Sequence, residues 1–439
     1  MLFRQFVDDD LGCGSYLIGD EETREAALVD PGYAVEQYLE AAEREGMRLT
    51  RVLETHTHAD HVSGHGRLAL EHGLPVSIHP AAEPLYPFEP LEDGSEVRVG
   101  SLAVHCLHSP GHRPEHCCFL VEDALLSGDS LFVGAAARPD LAVDAREGAE
   151  GLFNSLRRLA ELPVSVRVFP GHVAGSLCGA GMTGKPSSTI GNEVQLNPML
   201  AIATVEEFVD RSASVGSPRP PNMHRIVELN RGPFLAAPEP PRPLDSAPEA
   251  ATVLDVRPAD AFATGHASGA ISVPVSGSSF GTKAGFVLEP TERIVLFASS
   301  EDEAGQAARR LRAVGFLELE GYVTGAGEAE TMEPVDLDEL DRLLADGTVE
   351  VVDVREQDER DEGYIAGTRH VPYRLLRCCA DGFSPDRPVV TLCESGARAG
   401  IAASILAAQG IDARPVLHGG IDTWRDRGGR TVEFRRCGS

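Results

Sequence analysis

Thr55-His56-Thr57-His58-Ala59-Asp60-His61 decides how this chain is to be read. It directly follows the apolar run Arg51-Val52-Leu53-Glu54, so three imidazoles and a carboxylate crowd into six positions at the carboxyl end of an expected strand. In an extended chain residues i and i+2 face the same way, so His56 and His58 can converge on one point while Asp60 and His61 serve a neighbouring one. Three further candidates stand in strand-end loops: His112 in Ser109-Pro110-Gly111-His112, Asp129 after Gly128, and His172 after Pro170-Gly171. Imidazole and carboxylate without thiolate suit Zn(II), Fe(II) or Mn(II) and match the oxygen-rich sites of magnesium and calcium poorly. His65, His72, His79 and His224 belong to no such set and are expected at the surface or satisfied in a core.

Outward from that cluster, residues 2–173 alternate short apolar runs with turn signals, which predicts strands. Helical spacing covers residues 34–45 and 148–162, giving α/β layers with sheets inside and helices outside. Six prolines between Pro233 and Pro248 cannot continue a helix or a central strand and predict an extended linker. Beyond it the chain repeats itself. Asp255, Arg257, Gly265, Gly269 and Pro274 reappear as Asp353, Arg355, Gly363, Gly367 and Pro372, each displaced by 98 positions. Each copy continues as an apolar strand, a loop and a helical segment, a βα layout of parallel type. Three domains are therefore expected, over residues 1–240, 241–332 and 333–439.

The last copy carries a second constellation. Cys393 follows the strand Pro388-Val389-Val390-Thr391-Leu392 and opens the loop Cys393-Glu394-Ser395-Gly396-Ala397-Arg398 before a helix. A tight loop feeding a helix amino terminus offers inward backbone N–H groups to a thiolate or persulfide, and Arg398 adds a cation. The middle copy has Ala298-Ser299-Ser300 at this place, so it cannot carry sulfur covalently by this route and is expected to be a catalytically inactive spacer or docking surface.

The chain has 439 residues, a formal net charge of -29, 42% hydrophobic and 24% charged residues. That is apolar enough for packed cores and too acidic for an electrostatic grip on nucleic acid or an anionic membrane. No run of about 18 apolar residues suggests a membrane span, and the amino terminus lacks the apolar stretch of an export signal. Nine cysteines, odd in number and without CxxC, suit a reducing cytoplasm better than a disulfide framework. Cys13, Cys106, Cys117 and Cys118 lie in or beside apolar strands and are expected in a core. Homo-oligomer formation is neither required nor forbidden by the charge.

The motifs HTHADH, PGH, GD and PGH, in this order, resemble the metallo-β-lactamase superfamily over about the first 230 residues. Within it, LFRQFVDDDLGCGSYLIGD and GHVAGSLCGAGMTGKPSSTIGNE are most similar to persulfide dioxygenases fused to rhodanese domains. DVREQDERDEGYIAGTRHVP, CESGARA and VLHGGIDTW resemble the rhodanese family, with Tyr364 standing where that family commonly has histidine. The resemblance implies an N-terminal αββα sandwich followed by two α/β rhodanese domains with parallel sheets. It implies one Fe(II) per chain on His56, His112 and Asp129, a face whose open positions admit a thiol persulfide and dioxygen side by side. His58, Asp60, His61 and His172 would then orient ligands and solvent, or hold a second metal. Cys178 would be a thiol near the persulfide. Cys393 would exchange sulfane sulfur among persulfide, sulfite and thiosulfate. The alternative is a dinuclear Zn(II) thioester hydrolase of glyoxalase II type with a rhodanese appendage. A third, non-catalytic alternative is a sulfur carrier in which the first domain is inert.

Overall fold

Along the strand Gly14–Asp20, Tyr16 and Ile18 enter one core and Leu17 enters another, although every residue of the strand is buried. Alternation along a strand sends successive side chains to opposite faces, so this sheet is covered on both sides. The computed structural model describes residues 1–139, 142–173, 182–213, 218–325, 329–379, 382–384 and 386–433. They form two units: Met1–Pro238 with Arg312–Gly315, and Glu239–Leu311 with Phe316–Ser439.

The first unit holds two six-stranded sheets. One runs Leu2–Val7, Gly14–Asp20, Glu25–Val29, Arg48–Leu53, Val76–Ile78 and Glu89–Pro90 in order across the sheet, antiparallel at first and parallel from Glu25–Val29 onward. The other runs Ser188–Thr189, Arg167–Pro170, Ala124–Gly128, Cys117–Val121, Leu102–His108 and Glu96–Val99. Tyr16, Ile18, Val29 and Leu53 from the first meet Phe119, Val121, Leu126 and Phe169 from the second in the inner core. The outer faces are covered by helices. Leu17 and Leu28 pack with Tyr38 and Ala41 of helix Glu36–Arg44 and Leu68 of helix His65–His72. Cys118, Leu125 and Val168 pack with Leu152, Leu156 and Leu159 of helix Ala145–Ala160 and with Phe208. This is the expected αββα sandwich.

Helix Ala145–Ala160 begins earlier than its apolar spacing predicts, because the Asp144 side chain accepts from the Arg146 N–H and caps it. Truncating a buried leucine of its stripe, such as Leu156, to alanine costs about 2–5 kcal/mol.

In the second unit the sequence repeat is a structural repeat. Strands Ile271–Ser272, Thr252–Asp255, Ile294–Phe297 and Leu319–Val323 form one parallel sheet, and Arg369–His370, Glu350–Asp353, Val389–Leu392 and Ala413–Pro415 form another with the same order. The repeated Arg makes the same contacts in both: Arg257 bonds Asp255 and the Gly265 carbonyl, and Arg355 bonds Asp353 and the Gly363 carbonyl. The proline-rich segment has almost no regular element, and its end is pinned. Tyr322 N–H donates to the Arg242 carbonyl and Leu244 N–H to the Tyr322 carbonyl, both at 2.8 Å. Among the described residues no helix is long and apolar enough to cross a membrane.

Candidate metal centre and thiol site

The residues expected to bind metal leave the strands at one end of the sandwich: His56 after Arg48–Leu53, Asp129 after Ala124–Gly128, His172 after Arg167–Pro170, and His112 between Leu102–His108 and Cys117–Val121. Gly128 adopts φ +48°, and a Cβ there would stand 2.6 Å from His116 Nε2 and 2.8 Å from Thr55 Oγ1, so the turn into Asp129 requires glycine.

The sequence candidates sort into separate groups. One atom each from His56, His112 and Asp129 lies within 4.8 Å of the others, and all three residues are buried. Thr55 Oγ1 donates its one proton to Asp30 Oδ2 at 2.7 Å, so its contact of 2.9 Å with His56 Nδ1 is an N–H donated by the ring. His56 Nε2 is left as a buried lone pair without a hydrogen-bond partner. His112 Nδ1 donates to the Arg138 carbonyl at 3.0 Å, and His112 Nε2 faces Asp129 Oδ2 at 3.5 Å. Asp129 Oδ2 is buried and has no hydrogen-bond partner. Burial holds the pKa values of His56 and His112 below the ordinary value, so both rings are neutral. Burial pushes the Asp129 carboxyl up, but the His172 ring outweighs it and keeps the group ionised. Two neutral imidazoles with fixed tautomers, an ionised carboxylate and orphaned acceptor atoms fit a bound cation.

His58 belongs to a second group. Its Nε2 lies 3.3 Å from both Asp30 Oδ1 and Glu54 Oε2. Burial opposes its charged form, yet these carboxylates outweigh burial and raise its pKa well above the ordinary value. Glu54 also meets His65 Nδ1 at 3.2 Å and accepts from Ser63 Oγ at 2.5 Å.

Asp60, His61 and His172 form a third group with Cys13. His172 Nε2 lies 2.7 Å from Asp60 Oδ2, and His172 Nδ1 lies 2.9 Å from Asp129 Oδ1, which ties this group to the first. Cys13 is buried as expected, but against these polar atoms and not in the hydrophobic core, unlike Cys106, Cys117 and Cys118.

Several residues that sequence reasoning did not single out complete the site. Asp30 and Glu54 follow or end expected strands and carried no motif. Asn230, on helix Met223–Arg231, donates to the carbonyls of His58 and His61 and accepts from Ser63 N–H. His116 is fully buried 5.1 Å from the His56 ring, with its Nε2 unpartnered. Cys178 lies outside the described residues.

In the second unit Cys393 is 1% exposed, and its Sγ accepts from the Gly396 N–H at 3.1 Å. Gly396 has φ +101°, and a Cβ there would lie 2.0 Å from the Leu417 carbonyl, so the loop can close only on glycine. Arg398 is partly buried and is held by both oxygens of Glu359 at 2.5 Å. Burial would lower its pKa, and the Glu359 pair more than reverses this. Arg355, almost fully buried, links Asp353 to Glu394 at the start of the loop. The helix behind the loop, Ala397–Ala407, is buried from Ala399 to Leu406, and its Ser404 Oγ accepts from Ser272 N–H at 2.9 Å. The middle copy therefore packs directly on the helix that the Cys393 loop feeds.

An αββα sandwich with a candidate metal site is followed here by two parallel α/β copies, of which one has a cysteine in the loop after its central strand. The family described as Metallo-beta-lactamase superfamily matches residues 8–172, and Rhodanese-like domain matches residues 242–326 and 336–427. The mitochondrial persulfide dioxygenase of Bos taurus is 31% identical over 242 residues, covering 52% of this chain and 87% of that protein. A hydroxyacylglutathione hydrolase-like protein of Mus musculus is 34% identical over 262 residues, covering 52% of this chain and 88% of that one. A metallo-beta-lactamase structure from Staphylococcus aureus superposes with a TM-score of 0.68 at 30% identity, over 74% of this chain and 98% of the other. The chain belongs to the metallo-beta-lactamase superfamily and is a fusion of that domain, related to persulfide dioxygenases, with tandem rhodanese-like domains.

Proposed function

We propose that the chain is an iron-dependent persulfide dioxygenase coupled to a sulfurtransferase, with residues 1–240 oxidising a low-molecular-weight thiol persulfide and residues 333–439 exchanging its sulfane sulfur. The net oxidation is RSSH + O2 + H2O giving RSH and sulfite. The observation that carries this reading is the grouping of His56, His112 and Asp129 apart from His58, whose Nε2 contacts Asp30 and Glu54. Two imidazoles and one carboxylate, the donors grouped there among the described residues, suit a non-haem Fe(II) that leaves positions for two small molecules. Iron bound there would supply the redox chemistry that joins a sulfane sulfur to dioxygen.

The chain's own residues prepare that face. Thr55 and the Arg138 carbonyl hold His56 and His112 in the tautomers that present Nε2. His172 holds Asp129 Oδ1, which leaves Oδ2 for the cation. Burial of the whole group excludes bulk water from the reacting sulfur.

At the other site Cys393 would attack the sulfane sulfur of a persulfide. The new S–S bond forms on Cys393, the bond to the departing thiol breaks, and that thiol keeps the proton balance. Sulfite then takes the outer sulfur and leaves as thiosulfate. Residues 241–332, which lack the thiol, are a buttress for the helix that follows Cys393. Cys13, Cys106, Cys117, Cys118 and Cys393 form no disulfide among the described residues, which suits a reducing, cytoplasmic setting.

The similarity to a hydroxyacylglutathione hydrolase-like protein supports a second reading, a two-zinc thioester hydrolase. The two are separated by offering the purified chain glutathione persulfide and a hydroxyacylglutathione thioester. Oxygen consumption with the first and no hydrolysis of the second is expected. Hydrolysis without oxygen consumption would replace the dioxygenase reading.

A further inference from the structure

We propose that Ala313 and Val314, which lie in the sequence copy without a thiol, are positioning residues for the metal centre, acting on the histidine loop through Val62 and Asn222. Among the described residues beyond Pro238, only Arg312–Gly315 fold with the first unit. They end the helix Glu301–Ala313, and the last carbonyls of a helix have no partner inside it. Gly315, at φ +89°, turns the chain left-handed and closes two of those carbonyls locally. Its own N–H donates to Arg312 and the Phe316 N–H donates to Leu311, both at 3.1 Å. The next two carbonyls are left for other donors. Ala313 accepts from the Val62 N–H at 2.7 Å, and Val314 accepts from Asn222 Nδ2 at 2.7 Å.

Both contacts bear on the histidine loop. Val62 directly follows His61 and is fully buried, so its N–H needs a partner within the protein. Asn222 stands at the start of helix Met223–Arg231 but makes no side-chain cap bond to it, because its amide is turned to Val314. Near the other end of that helix Asn230 donates to the carbonyls of His58 and His61. One short segment therefore supports the loop directly at Val62 and indirectly through this helix. From the loop, Asp60 meets His172 at 2.7 Å, and His172 meets Asp129 at 2.9 Å, the contact that leaves Asp129 Oδ2 for a cation. Gly315 also packs on the helix, where a Cβ would stand 3.3 Å from Ile226 Cγ1.

The consequence is that metal affinity at His56, His112 and Asp129 depends on residues more than a hundred positions away from every member of that group. The inference rests on metal binding by those three residues and on no particular reaction there.

The test is anaerobic Fe(II) titration of the metal-free full chain, read by competition with a chromophoric chelator, beside hydrogen exchange of the peptide that holds Val62. Asn222→Ala, which removes the donor to Val314, should weaken iron binding by about tenfold and speed exchange at Val62. Gly315→Ala, strained and pressed on Ile226, should act in the same direction. Leu159→Ala, in the core beneath helix Ala145–Ala160, loosens the same unit elsewhere and should leave iron affinity within about twofold of the wild type. Unchanged affinity in Asn222→Ala, or an equal loss in Leu159→Ala, would overturn the proposal. So would rapid exchange of the Val62 amide in the wild type, a measurement that needs no variant to fold. Neither readout involves oxygen or persulfide turnover, so failure of the dioxygenase reading leaves this result intact.

Discussion

Asn230 Nδ2 donates to the carbonyl oxygen of His58 at 2.9 Å and, from the same amide, to that of His61 at 2.8 Å. Its Oδ1 accepts from Ser63 N–H at 2.8 Å, so one buried side chain fixes the backbone of the histidine loop at three points. Asn230→Ala should cost about 1–3 kcal/mol of stability by leaving those groups unpaired. It should also lower metal retention. Thermal unfolding and metal content per chain check both effects; an unchanged metal content would show that the clamp does not position the loop.

The two sites should fail independently. His112→Ala should remove oxygen uptake with a thiol persulfide by about 100-fold or more while leaving sulfurtransfer from the same donor intact. Cys393→Ser should do the reverse. Joint loss in either variant would contradict two separable chemistries, and an unaffected oxygen uptake in His112→Ala would show that the His56, His112 and Asp129 group does not carry the oxidation.

Near Cys393 the cations are already paired. Arg398 is held by Glu359, and Arg355 by Asp353 and Glu394, so a dianionic donor meets these two guanidiniums already paired. Glu359→Gln should lower the KM for thiosulfate by about threefold to tenfold, with a smaller effect on a thiol persulfide. A KM unchanged for both donors would show that this pair does not govern donor choice.

His116 gives the metal-free protein an acid limit. Burial pushes its pKa from 6.5 down to about 3. The folded state therefore resists protonation that the unfolded state accepts. The stability from keeping this ring neutral is complete above pH 6.5 and is lost as pH falls toward about 3. Urea midpoints of the metal-free chain should fall across that window, and His116→Gln should flatten the slope.

What was legible in the sequence was local. HTHADH, the glycine-led loops before His112, Asp129 and His172, and the displacement of 98 positions between copies all lie within short stretches, and strand order repeats accordingly. What was not legible depends on contacts across the chain. Asp30 and Glu54 look like ordinary strand-end acids until the fold brings both to His58. Cys13 sits beside an apolar strand in sequence, yet the turn before strand Gly14–Asp20 brings it to Asp60. Arg398 is expected to serve Cys393 by its place in the loop, and only the tertiary structure reveals that Glu359 pairs its charge. Helix Ala145–Ala160 starts at a cap, which apolar spacing alone does not mark.

The most direct test is oxygen uptake with glutathione persulfide by purified protein whose iron and zinc are counted per chain. The account predicts about one iron per chain, with one sulfite formed for each dioxygen consumed. Two zincs, no iron and no oxygen uptake would contradict it and assign the first domain to hydrolysis.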